Sequence, residues 1–416
     1  MIKRDLLTAV IAHLTEPEIT VIVGPRQVGK TTLMMELQKI VQKERRPGLF
    51  LNLDIEADKR HFESQNHLLQ KIKLELGDQG GVVFIDEIQR KEDAGLFLKG
   101  LYDMHLPYKF VVSGSGSLEL KERIHESLAG RKRLFELNPV SFSEFVQYRT
   151  AYKYGEQLSD YFRIEGPPAL LLLQEYMNFG GYPRIITGTT LEERRLIMEE
   201  IFRSYLEKDI VYLLRVNKPH VFSHVIRLLA AQTGRLVNYA KLSTQSGISV
   251  STLKKYMWYA EKTFITRYLR PYFGNIRKEL VKSPVVYFVD MGLRNFAVGL
   301  FGQEEYMADA GFRFQNLIGN ALYEKIKGRG WSLQFWRTAD KAEVDFVINK
   351  THQVLPVEVK YTALKKPLVR RSLRSFIDKY HPEEAWVINL NLSDTILIRQ
   401  TKVRFLPYYY LFEGDI

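Results

Sequence analysis

Apolar residues follow two periods along this chain. Short β-branched runs stop at glycine, acidic or hydroxyl residues, and longer stretches repeat apolar positions three and four apart. ITVIV at 19–23 is the first run. It enters a glycine loop, after which Leu33, Met34 and Leu37 share one helical face. LFLNLDI (49–55), GVVFIDEIQR (81–90) and YKFVVSGSGS (108–117) are further strand candidates, and a short apolar run after LAGRKR would be a fifth. Val82 to Ile85 are apolar without interruption, as suits a strand of a parallel sheet buried on both faces. The pattern predicts an α/β arrangement.

Two later stretches read differently. YAKLSTQSGISVSTLKKYMW (239–258) predicts two short helices around Gly247. Ser249 or Ser251 would cap the second, with Leu253, Met257 and Ala260 inward and Thr252, Lys254 and Lys255 outward. The following FITRYLRPYF would form a β wing, completing a helix-turn-helix unit. AEVDFVINKTHQVLPVEVK (342–360) has two apolar runs around NKTHQ and predicts a hairpin. Glu358 and Lys360, two apart on a strand, share a face.

Composition adds bounds. A chain of 416 residues, 45% of them hydrophobic, has room for roughly two to four domains with real cores. It contains 0 cysteines, which excludes disulfides and zinc–thiolate sites. The first residues lack a long apolar run and a small-residue cleavage site, and nothing approaches the ~18 apolar residues of a spanning helix. A cytoplasmic protein with no membrane partner is expected. The formal net charge of +12 favours a polyanionic partner, nucleic acid first and an acidic membrane surface second.

The loop after the first run carries the most specific chemistry. Gly24, Pro25, Arg26, Gln27, Val28, Gly29, Lys30 and Thr31 fit G-x-x-x-x-G-K-[ST], with Thr32 opening the helix. Backbone N–H groups of such a loop cradle phosphates, Lys30 would reach the β- and γ-phosphates, and Thr31 would ligate Mg²⁺. Asp86 and Glu87 close the third run. Asp86 would hold Mg²⁺ through water and Glu87 would polarise an attacking water. ATP and Mg²⁺ are the expected cofactors.

GPRQVGKTTL, FIDEIQR, VSGSGS, LAGR, NPVSFSEF and GGYPR, in that order, resemble the archaeal-type AAA+ ATPases, and the likeness covers nearly the whole chain. The resemblance implies an AAA+ core over 1–137, a helical lid over 138–215, a winged helix over 216–280 and a PD-(D/E)XK nuclease-like domain over 281–416. The tip of the fourth strand, Ser113 with Ser115 and Ser117, would sense the γ-phosphate, although asparagine or threonine is more usual there. Arg131, or Arg133 beside it, would be an arginine finger reaching a neighbouring subunit; the alternative is a solvated charge. Gly181-Tyr182-Pro183 resembles a lid motif that contacts the nucleotide base, and Arg184 would be a second γ-phosphate sensor. The plainer reading is a helix-entry turn.

In the nuclease pattern Asp345 and Glu358 bind Mg²⁺ and Lys360 balances charge near the attacking water. The usual F-E-N of the preceding helix reads Phe314-Gln315-Asn316 here, and neutral Gln315 is a poor ligand for a hard cation. A loosely held ion and weak or absent DNA cleavage are therefore expected. Lys365, Lys366, Arg370, Arg371 and Arg374 would track phosphates, or form a solvated helix face. The winged helix would offer Thr252, Lys254 and Lys255 to a DNA groove, or serve as a protein-packing module. The expected function is ATP hydrolysis coupled to binding or remodelling DNA, including branched or damaged DNA, by a homo-oligomer such as a hexamer. The rival is a nucleotide-switched regulator whose decayed nuclease domain binds partners.

Overall fold

A computed structural model describes residues 1–115, 128–204, 219–273, 282–303, 308–351 and 353–412, without the side chains of Ser115 and Glu156. Ser117 lies outside the described residues. After helix α1 (Leu6–Ala12), five parallel strands form the first sheet: β1 (Ile19–Gly24), β2 (Gly48–Asn52), β3 (Gly81–Asp86), β4 (Tyr108–Ser115) and β5 (Lys132–Glu136). Their spatial order is β2-β3-β4-β1-β5. Helices α2 (Lys30–Lys43), α3 (Gln65–Leu76) and α4 (Ala94–Asp103) cover it. Both faces are thus buried, which explains the unbroken apolar runs: Val82, Val83, Phe84 and Ile85 are all fully buried. The chain reverses direction across the sheet beside β1, so the carboxyl ends of β1, β3 and β4 open onto one crevice.

A helical layer follows: α5 (Phe142–Arg149), α6 (Leu158–Ile164), α7 (Gly166–Phe179), α8 (Pro183–Thr187) and α9 (Leu191–Ser204). Ser141 starts α5 with a capping box, its hydroxyl accepting from Glu144 N while Glu144 reaches back to Ser141 N. The next unit comprises α10 (Pro219–Ala230), α11 (Tyr239–Ser246) and α12 (Val250–Lys262), then β6 (Thr266–Leu269) paired antiparallel with β7 (Val285–Phe288). Gly247 adopts φ 67° between α11 and α12. Ser249, rather than Ser251, caps α12 by accepting from Thr252 N at 3.2 Å.

The SPVVYFVD run departs from expectation. Grouped by sequence with the carboxyl-terminal region, it pairs with β6 instead; the expected boundary at 280/281 lies outside the described residues, between these two paired strands. An apolar strand does not announce its partner, and β6 supplied the nearest free edge.

The remaining elements are α13 (Met291–Ala297), α14 (Ala310–Ile326), β8 (Ser332–Arg337), β9 (Glu343–Asn349), β10 (Val354–Val359), α15 (Arg371–Tyr380), β11 (Glu384–Asn389), β12 (Asp394–Ile398) and β13 (Thr401–Pro407). Their sheet runs β12-β13-β11-β10-β9-β8. β9 and β10 form the expected hairpin, and β10 then pairs in parallel with β11 through the crossover α15. α14 packs across one face, where Phe314, Leu317 and Ile318 meet Phe346 and Tyr408. Among the described residues no helix is long and apolar enough to cross a membrane.

Phe142 joins the helical layer to the last described residues of the chain. It is 1% exposed, and its ring meets those of Phe145, Phe162, Tyr176, Tyr408 and Phe412. Phe142→Ala is expected to cost about 3–5 kcal/mol in urea unfolding, the usual loss for an aromatic removed from a packed core. A change below about 1 kcal/mol would show that the cluster does not hold these parts together.

Candidate functional site

The loop between β1 and α2 is shaped by its glycines. A side chain at Gly24 would collide with the Leu137 carbonyl, and Gly29 has φ 96°, which favours glycine. Gln27 also lies in the left-handed region, at φ 59°. The chain therefore curls tightly before α2, with the first N–H groups of that helix facing the crevice. Lys30 is buried, and its Nζ donates to the carbonyls of Gly24 (3.1 Å) and Pro25 (2.7 Å). Val28 is fully buried and faces away, its carbonyl accepting from Arg4 Nη1 at 3.0 Å. Arg4 is itself paired with Glu144 at 3.2 Å and so braces the loop from behind.

Asp86 gathers three strand ends. Its Oδ2 accepts from Thr31 Oγ1 at 2.6 Å, and its Oδ1 accepts from Ser113 Oγ and from Glu87 N, the latter at 3.1 Å. Ser113 is thus directed at Asp86 and is fully buried, rather than standing in the crevice as a phosphate sensor. Ser115 is opposite Gly24 in the strand register. Glu87 adopts φ 56°, which turns its carboxylate out of the strand toward the crevice. Burial raises its pKa, opposed by the nearby Lys30 ammonium, and Gln89 Nε2 donates to its Oε2.

The resulting cleft has a volume of about 840 Å³. Arg26, Gln27, Gly29, Lys30, Thr31 and Thr32 line it from the loop and α2, together with Glu87. Pro183 and Arg184 from α8, with Glu199 and Glu200 from α9, line it from the helical layer. Arg184 Nη1 donates to Gln27 Oε1 (3.2 Å) and Glu200 Oε2 (2.9 Å), and Gln27 donates to Glu200 at 3.1 Å. Arg131 stands at the amino end of β5, paired with Asp103 at 2.7 Å. That is the sheet end opposite the loop, so within one chain it does not meet this cleft.

A nucleoside triphosphate with Mg²⁺ fits this donor set. The loop presents N–H groups and a lysine for phosphate, and Thr31 and Asp86 bring two oxygens together where a hard cation would need them. Arg4, Gln89, Glu199 and Glu200 were not singled out from sequence. Each is an ordinary charged or amide residue whose role comes only from what folding places beside it.

On α12, Lys254 and Lys255 are exposed, lying over the Tyr239 and Tyr259 rings at 5.0 and 5.6 Å. Thr252 is less available, because its hydroxyl is shared with Ser249 in the cap at 2.9 Å. Trp258, 37% exposed beside these lysines, is a further outward residue that sequence reasoning missed. Lys365 and Lys366 are exposed in the loop that precedes α15, and Arg370, Arg371 and Arg374 are exposed at its start.

Asp345, Glu358, Lys360 and Gln315 do converge. Gln315 Nε2 donates to Asp345 Oδ1 at 2.9 Å, and Val359 N donates to Asp345 Oδ2 at 2.7 Å. Glu358 is buried and ion-paired with Lys360, with Arg370 4.0 Å away. Burial pushes the Asp345 carboxyl up to about 7, aided by the neighbouring Glu358 and Glu343. Both carboxylates already have local partners, so a divalent ion would be held here only loosely, in competition with them. Among the described residues no group of three or more His, Cys, Asp or Glu side chains is placed to hold a metal ion.

Residues 16–146 match the AAA domain family, and two domains of unknown function match over 170–304 (DUF8612) and 310–411 (DUF4143). An uncharacterized protein of Mycobacterium tuberculosis is 26% identical over 90% of this chain and 76% of its own length. One from Haemophilus influenzae is 27% identical over 87% of both chains. AMPPCP-bound DnaA from Aquifex aeolicus is 13% identical, with a TM-score of 0.27 over 62% of this chain and 86% of that one. The amino-terminal part is thus an α/β P-loop domain similar to AAA domains, as the sheet order and loop geometry also require.

The Asp345 site has a pH signature. Its pKa lies above the ordinary carboxyl value of 3.8, so its contribution to stability is present below about pH 4 and is lost as pH rises through about 7. Asp345→Asn has no proton to lose. With EDTA present, it is expected to raise the Tm by a few degrees at about pH 8, the gain shrinking toward about pH 4.5. A Tm difference independent of pH would contradict the neutralised site.

Proposed function

We propose that this chain is an ATPase that couples hydrolysis to DNA, acting as a homo-oligomer. The observation that carries the reading is the Asp86 carboxylate, held by Thr31 and Ser113, beside the buried Lys30 and the turned-out Glu87. In it, Lys30 and the N–H groups of α2 bind the phosphates. Mg²⁺, held through Thr31 and Asp86, would neutralise charge on the β- and γ-phosphates. Glu87 accepts a proton from water as the water oxygen bonds to the γ-phosphorus, and the bond to the bridging oxygen breaks to release ADP. Its raised pKa makes it a better base than an exposed glutamate. Arg184 contacts the γ-phosphate across the cleft. Arg131, far from its own cleft, would act only on a neighbouring copy.

The exposed Lys254 and Lys255 on the second helix of a helix-turn-helix, the wing-like β6–β7 hairpin and the net charge of +12 support DNA as the partner. The succession α14, β8, β9, β10, α15, β11 supports a PD-(D/E)XK-like ancestry for the last part. The pairing of Asp345 with Gln315, and of Glu358 with Lys360, supports loss of its nuclease chemistry. That same observation favours a second reading, a nucleotide-switched regulator that uses this domain to bind partners. ATPase rates with single-stranded, duplex and four-way DNA, together with the native mass, separate the two: a DNA-coupled enzyme is stimulated and a switch is not.

Lys30→Ala is expected to lose tight ATP binding. Glu87→Gln should bind ATP but turn over at least ~10²-fold more slowly, the usual worth of a general base. Wild-type turnover in Glu87→Gln would remove that residue from the reaction.

DNA affinity should fall steeply with salt, and Lys254→Ala with Lys255→Ala should reduce the salt slope by about 2. An unchanged slope would move the surface to Lys365–Arg374. No DNA cutting is expected in Mg²⁺, whereas Gln315→Glu should tighten Mn²⁺ binding.

A further inference from the structure

The short helix that carries Arg184 begins at a loop held from far away in sequence. Gly180 ends α7 with φ 76°, and Gly181 follows. Gly181 N donates to Asp290 Oδ2 at 2.7 Å. Asp290 Oδ1 accepts from Leu293 N at 2.8 Å, which makes Asp290 the N-cap of α13, and the Gly292 N–H also points at the carboxylate. Asp290 is 3% exposed, and among the described residues no cation pairs with it. Its negative charge is met by backbone N–H groups, one of them belonging to the lid loop.

The fit leaves no slack. A side chain at Gly180 would collide with both Asp290 carboxylate oxygens, and one at Gly292 would collide with the Phe179 carbonyl. Asn295, one turn into α13, donates to the carbonyls of Met177 (2.9 Å) and Asn178 (2.8 Å). On the other side, the Gly181 carbonyl accepts from Val140 N at 2.7 Å. Gly181 is therefore clamped between Asp290 and Val140. Tyr182 is buried at 1% exposure, Pro183 opens α8, and Arg184 reaches out to Gln27 of the phosphate loop. A helix of five residues cannot fix its own direction, so its starting loop must do so.

We propose that Asp290 is a positioning residue for the nucleotide site: by clamping Gly180-Gly181 onto the start of α13, it holds Arg184 where it discriminates ATP from ADP. This rests on the reading of Arg184 as a γ-phosphate contact. Asp290 also follows β7 by two residues, so the hairpin beside the helix-turn-helix and the nucleotide site share one anchor. A shift of that strand pair would reach the Arg184 loop through Asp290, with the Asn295 contacts beside it.

The test measures binding of ADP and of a non-hydrolysable ATP analogue to the full chain. Wild type, Arg184→Ala, Asp290→Asn, Gly180→Ala and the Arg184→Ala/Asp290→Asn pair are compared. Asparagine keeps the cap on Leu293 N but turns an N–H₂ toward Gly181 N–H. The preference for the ATP analogue over ADP should fall about tenfold in Arg184→Ala, the loss of one charge-assisted hydrogen bond. It should fall similarly in Asp290→Asn and Gly180→Ala, with no further loss in the pair, while ADP affinity stays near wild type. A purely structural role for Asp290 would weaken both nucleotides alike or lower only the Tm, and either result overturns the proposal. If Arg184→Ala keeps the wild-type preference, the reading of Arg184 fails and the proposal falls with it. If Arg184→Ala loses the preference and Asp290→Asn does not, only the proposal fails. Should Asp290→Asn not fold, Gly180→Ala decides, because it displaces the same loop from the opposite side.

Discussion

A buried carboxylate must be met by donors, and the amino-terminal domain is organised around that requirement at Asp86. The side chain is 1% exposed at the end of a central strand, where an unpaired charge would be strongly unfavourable. Thr31 from α2, Ser113 from β4 and the N–H of Glu87 supply the donors. These groups come from three separate segments that meet only where the parallel strands end. Satisfying Asp86 therefore fixes the phosphate loop, the putting-out of Glu87 and the tip of β4 relative to one another. The geometry of the cleft follows from that one constraint.

The second organising contact lies across the cleft. The core is continuous from Ile22 and Leu37 in the P-loop domain through Ile185 and Ile201 in the helical layer to Phe222, Leu253 and Phe288. An apolar core of this kind is non-directional and does not by itself aim Arg184. Direction comes from the polar contacts of Gly181, Asp290 and Asn295 inside it, since hydrogen bonds impose geometry where packing tolerates small slips. Asn316 extends the same logic. Its amide brackets Phe288, accepting from its N–H at 2.8 Å and donating to its carbonyl at 2.7 Å, which ties α14 to β7.

Gln315 and Asn316 are neighbours on α14 with different roles. Asn316 is fully buried and structural, while Gln315 faces the Asp345 carboxylate. With an amide in place of a third carboxylate, Lys360 resting on Glu358 and burial favouring the protonated form of Asp345, the hairpin leaves little uncompensated charge. Such an arrangement can persist without metal because its buried charges already have partners.

Local chemistry made much of this legible in the sequence. The glycine loop, the apolar runs ending in Asp86 and Glu87, the Gly247 turn and the Asp345–Glu358 hairpin each depend on residues close together, whose period and turn chemistry are fixed by backbone sterics. The neutral Gln315 was likewise visible, because a single side chain states its own charge. What the sequence left open was long-range pairing. Ser113 could have faced phosphate but turns to Asp86; VVYF could have joined the last sheet but pairs with β6; Arg4, Glu200 and Asp290 carry no local mark of their contacts with Val28, Arg184 and Gly181. Those choices were made by tertiary structure, because a buried polar group takes whichever partner the closed core brings within hydrogen-bond distance, and that distance is set by the packing of separate segments, in the case of Gly181 and Asp290 109 residues apart.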